Sequence, residues 1–107
     1  MHAVVVKVSI GDIEKAHVGL REQVVPRVSQ APGFIAGYWT RSDDGSSGLS
    51  MILFESEDAA RGAAERIGTN LPDTVTLQNV EVRGVVESAT ADQAGVMAGS
   101  TSRGSAA

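Results

Sequence analysis

The chain has 107 residues, no cysteine and a formal net charge of −4, with 42% hydrophobic and 21% charged residues. This is one domain's worth of ordinary globular composition. It excludes a disulfide framework, a Cys-ligated zinc site, an iron–sulfur cluster and a thiol nucleophile, and its nine scattered Lys and Arg form no basic run for nucleic acid.

Residues 3–10 read as a strand, because Val4, Val5, Val6 and Val8 are β-branched and the run is nearly continuous in apolarity. The start lacks a basic segment followed by a long apolar one, and no apolar run approaches the roughly 20 residues of a membrane helix. A cytoplasmic protein without a membrane partner is expected. Gly11 breaks the strand and Asp12 is an N-cap for a helix over residues 13–29. Ile13, Ala16, Leu20, Val24 and Val28 fall on one face of that helix, and Pro26 predicts a kink or early end. Pro32-Gly33 then turns the chain into a strand over residues 34–41. Strict alternation sets Phe34 and Tyr38 on one face of it and Ile35 and Trp39 on the other, so both faces need cover.

Residues 42–48 are turn chemistry, and residues 49–54 return as a third strand, making an antiparallel hairpin. Ser56 with Glu57 and Asp58 opens a second helix, whose packing face is mostly alanine and which stops at Gly68. Residues 75–87 form a long strand whose alternation shifts partway, which predicts a bulge or bend with Gly84 as a candidate position. From residue 88 the chain is Ala, Gly, Ser and Thr without apolar periodicity, a tail that is disordered or loosely docked.

The order strand, helix, strand, strand, helix, strand predicts an α+β, ferredoxin-like βαββαβ sandwich: a four-stranded antiparallel sheet with both helices on one face. The other face is left bare and apolar, which a monomer rarely tolerates. A homodimer through the open sheet face is expected.

The helix end Val24-Val25-Pro26-Arg27-Val28, the turn Ala31-Pro32-Gly33-Phe34, the strand Gly37-Tyr38-Trp39 and the strand-to-helix run from Ile52 to Ala60 resemble the dimeric α/β-barrel superfamily. Within it the chain is similar to small antibiotic-biosynthesis-monooxygenase-like proteins, over residues 1–87. The resemblance implies a dimeric barrel and a cofactor-free oxygenase with an apolar pocket between sheet and helices. Such pockets carry Trp, Asn, Arg and Tyr, and the counterparts by type here are Trp39, Asn79, Arg41, Arg83 and Tyr38. Haem-degrading relatives use an Asn on the first strand and an axial His, and the first strand here offers Val, Lys and Ser instead.

Each candidate also has a plainer role. Trp39 either packs a subunit interface or walls a pocket in which its indole N–H orients a flat aromatic ligand. Tyr38 either packs against a helix or serves a substrate hydroxyl. His17, beside Ala16 at the edge of the helix's apolar face, is either a surface histidine or a general base. Asn79 and Arg83 share a face unless a bulge intervenes, as solvated sheet-edge residues or as a polar pair that stabilises an anion. Two distant histidines and no cysteine give no metal-ligand spacing. Function then divides between a cofactor-independent monooxygenase of a small aromatic or polyketide-type molecule and a non-catalytic binding or assembly module.

Overall fold

The structure, a computed structural model, describes residues 1–91. Four strands, β1 (His2–Ile10), β2 (Phe34–Arg41), β3 (Ser47–Phe54) and β4 (Val75–Gly84), form one antiparallel sheet in the order β2-β3-β1-β4. The helical segments are α1 (Ile13–Gly19), a wide π turn (Leu20–Val24) and α2 (Val25–Ser29), which follow without a break, and then α3 (Glu57–Thr69) after β3. This is the ferredoxin-like sandwich that the element order predicts. Residues 88–91 carry no helix or strand. The rest of the expected tail lies outside the described residues.

Both helices start where their caps dictate. Asp12 accepts the Lys15 N–H at 3.0 Å, and Ser56 accepts the Ala59 N–H at 3.1 Å, each satisfying a first-turn donor that has no partner within the helix. Pro26 does not stop the first helix. It has no N–H for the carbonyl one turn back, and its ring would press on that carbonyl in a regular α turn. The turn before it is wide instead, with the Val25 N–H reaching Leu20 O five residues back.

One face of the sheet carries the core. Val4 and Val6 of β1 and Ile52 and Phe54 of β3 point to the helices and pack with Val28, Ala60 and Ala63. The alanine face of α3 lets its backbone lie close to the sheet, so Ala60 and Ala63 are buried. Phe54 is closed off completely and meets Phe34 edge to face, with ring centroids 6.1 Å apart.

Two bulges decide which side chains face this core. On β2 the register shifts between Phe34 and Ala36, so Phe34 pairs with Phe54 and Ala36 with Leu53. The extra residue, Ile35, resets the alternation. Phe34 and Trp39, an odd number of positions apart, therefore both face the helices, while Ile35 and Tyr38 face away. This corrects the strict alternation expected from the sequence. On β4 the bulge falls at Gln78, between the pairs Lys7–Asn79 and Val8–Leu77, rather than at Gly84. Leu77 and Val80, three apart, both pack on the core, and one extra residue between them is what permits it.

The hairpin between β2 and β3 is tied by its own polar groups. The Asp44 carboxylate accepts from the Ser46 N–H at 2.9 Å, the Ser46 hydroxyl at 2.7 Å and the Ser42 hydroxyl at 2.8 Å. Those bonds, that from the Ser46 N–H foremost, hold its pKa down at about 2. Gly45 follows with φ of +77°, a left-handed conformation that suits glycine. A Cβ there would also stand 2.5 Å from Ile13 Cδ1, so the hairpin tip rests on the start of α1.

Candidate functional site

The first helix and the third meet the sheet differently. No residue of α1 or the π turn is buried, although Ile13, Ala16, Leu20 and Val24 all face inward. The helix stands off the sheet there, and the gap is a cavity of about 460 Å3. That is within the range of roughly 300–1,000 Å3 typical of small-molecule sites. Its floor is the helix-facing side of β1, β2 and β3, its roof is the first helix, and Ile67, Leu71 and Pro72 close one end.

Polar groups are few and placed on the floor and rim. Trp39 and Ser50 are cross-strand partners, and both line the cavity. Neither the indole N–H nor the Ser50 hydroxyl bonds to another of the described residues, so two donors sit side by side without a protein partner. The indole is seated on Gly37, where a Cβ would stand 2.7 and 2.8 Å from the ring atoms Cη2 and Cζ3. Gly37 thus keeps the ring down along the strand and out of the cavity's volume.

Two further cavity residues are basic. His17 lines the roof and Arg41 the strand end. Ile13 touches the hairpin tip, His17 is one turn further along the same helix face, and Arg41 is the last residue of β2 before that tip. His17 and Arg41 therefore lie toward the same end.

Of the six residues singled out in the sequence, the fold brings His17, Trp39 and Arg41 together at the cavity. Tyr38, Asn79 and Arg83 are on the opposite side of the sheet. Tyr38 is turned outward by the bulge at Ile35, so neither a helix contact nor a place beside the cavity holds for it. Trp39 is turned inward by the same bulge, which removes it from the open face and from interface packing there. Asn79 and Arg83 do share a face, since the β4 register is regular after Gln78. That face is the outer one, and Arg83 pairs with the neighbouring Glu81 at 3.1 Å, the solvated-edge arrangement. Ser50 escaped sequence reading, yet it left a signal: it is a small polar residue in the inward set Ser50, Ile52 and Phe54.

The outer face of the sheet is apolar over β2, β3 and β1. Ile35, Tyr38, Leu49 and Met51 are 47%, 65%, 51% and 49% exposed, with Val5 paired to Met51 beside them. Among the described residues no helix is long and apolar enough to cross a membrane.

No protein-family model matches the chain, and no curated protein matches it in sequence. Solved structures do match in fold. SnoaB, a cofactor-independent oxygenase from Streptomyces nogalater, superposes with a TM-score of 0.64 at 15% identity, over 81% of this chain and 94% of that one. A dimeric ferredoxin-like protein from an uncultured marine organism gives 0.54 at 12% identity, over 84% and 99%. A monooxygenase from the ActVA-Orf6 gene of Streptomyces coelicolor, solved with the ligand nanaomycin D, gives 0.50 at 23% identity, over 82% and 92%. The resemblance read from the sequence holds at the level of fold: this chain has the ferredoxin-like fold of these proteins.

Proposed function

We propose that the chain is a cofactor-independent monooxygenase of a small, flat aromatic or polyketide-type molecule bound between the sheet and the first helix. One observation carries this reading: an apolar cavity of about 460 Å3 whose floor carries two hydrogen-bond donors without partners among the described residues. A pocket filled by side chains would have favoured the non-catalytic alternative. The fold shared with SnoaB adds support.

In this reading an electron-rich phenol or quinol loses a proton and its anion reduces O2. One oxygen atom ends on the substrate carbon, and the other leaves as water with two hydrogens from the substrate. His17, the imidazole on the cavity wall, takes the first proton. The Trp39 N–H and the Ser50 O–H donate to the oxygen on which charge gathers.

The test is oxygen uptake with a panel of anthrone-like and quinol substrates. We expect stoichiometric uptake by the purified protein, a drop of about 100-fold or more in kcat for His17→Gln, and a smaller loss for Ser50→Ala. No uptake across the panel, with Trp39→Ala indistinguishable from wild type, would remove the proposal.

The same reading includes a homodimer through the outer sheet face, where Ile35, Tyr38, Leu49 and Met51 gather. Burying such a patch between two copies removes it from water at roughly 25 cal/mol per Å2. Light scattering should give a dimer at micromolar concentration, and Met51→Lys should shift it toward monomer while leaving the far-UV spectrum unchanged. A monomeric wild type rules the dimer out.

A further inference from the structure

The charges around the cavity narrow its ligand. Among its described lining residues, Arg41 and His17 alone carry or can gain a charge, and none is acidic. This stands against a chain whose net charge is −4. Arg41 takes part in no ion pair among the described residues. The nearby Asp44, whose Oδ1 accepts from Ser42 and Ser46, forms no ion pair with it either. A guanidinium with no ion pair among the described residues thus stands beside an apolar space, where a carboxylate offers it charge-assisted bonds stronger than those a neutral oxygen can accept.

The floor sets the spacing. Trp39 and Arg41 are two residues apart on one face of β2, about 7 Å along the strand. Their cross-strand partners are Ser50 and Gly48. Gly48 contributes no side chain, and a Cβ there would meet Val8 Cγ2 at 3.2 Å and Thr40 O at 3.3 Å. The floor beside Arg41 is therefore closed over by the apolar side chains of Val8 and Ile10, and the cavity offers donors for an oxygen at one step of β2 and a cation at the next. A guanidinium offers the planar fork that a carboxylate fills with two parallel bonds.

We infer that the cavity takes an aromatic carboxylate, with its rings against the apolar walls and its carboxylate on Arg41. The inference rests on the small-molecule site proposed above and adds the class of its ligand.

Trp39 is the single tryptophan of the chain, so its emission reports on the cavity directly. Anthraquinone-2-carboxylate and its neutral carboxamide are titrated against the full chain, and quenching of Trp39 gives each Kd. The carboxylate should bind at least tenfold more tightly than the carboxamide, with a ratio that falls as salt is raised. In Arg41→Gln the ratio should fall to about one, and Arg41→Lys should restore part of it. Equal affinities in the wild type, or a ratio that survives Arg41→Gln, overturns the inference and leaves the monooxygenase reading intact. Absence of quenching by either compound overturns both. An intact ratio in a protein that takes up no oxygen supports the carboxylate site and rejects the oxygenase alone.

Discussion

Phe54→Ala should cost about 3–5 kcal/mol, the range for truncating a fully buried aromatic. Phe54 has no exposed surface, is hydrogen-bonded through its strand between β1 and β2, and holds Phe34 edge to face. Its removal opens a void between the sheet and the alanine face of α3. Alanine side chains cannot reach into that space, and the helix cannot move closer without meeting the sheet. Against a total stability of about 5–15 kcal/mol, that is a large fraction. Urea unfolding should show a midpoint lower by roughly 2 M at an unchanged slope, or a protein already partly unfolded in buffer. A loss below about 1 kcal/mol would mean that the core is not centred there.

Gly37→Ala should damage the cavity more than the backbone. Gly37 is outside the left-handed region, so alanine is conformationally acceptable and would by itself favour the strand by about 0.5–1 kcal/mol. The added methyl, however, would stand 2.7 Å from the Trp39 ring. The strand is paired on β3 and cannot yield easily, so the indole swings off the floor and into the cavity. We expect a changed near-UV spectrum, a shifted Trp39 emission maximum, at least tenfold weaker binding of the anthraquinone probe, and a net stability loss of about 1–3 kcal/mol from overpacking. Unchanged emission and affinity would show that the indole does not rest on Gly37.

The two substitutions separate the layers of the design. Phe54 belongs to the half of the sandwich where α3 is pressed close by its alanines. Gly37 belongs to the half where the first helix stands off and leaves room. The contrast has its root in side-chain size: small residues let a helix approach a sheet, while Ile13, Leu20 and Val24 hold theirs away. The π turn ahead of Pro26 lies on the same stand-off segment and places Leu20 and Val24 in the roof.

Much of the fold was legible in the residues. Apolar period, two capping side chains and turn chemistry specified four strands and two helices in order, because each signal acts within a few residues of itself. The inward face of the first helix was legible too, down to Ile13, Ala16, Leu20, Val24 and Val28. The facing of β2 was not. One bulge at Ile35 exchanged the positions of Tyr38 and Trp39, and a bulge is settled by how Phe34 and Phe54 pack across strands distant in sequence. The same step sent Tyr38 to the outer surface and made Trp39 a partner of Ser50. Asn79 and Arg83 illustrate the complementary limit: their shared face followed from spacing, and its outward direction followed only from where the helices lie.

By itself, then, the sequence determined the class of fold, the helix boundaries and the presence of a second apolar face on the sheet, all consequences of local periodicity and of charge and size along the chain. The tertiary structure alone decided which side chains meet at the cavity. Strand parity is reset by a single inserted residue, and only cross-strand packing selects where that residue goes.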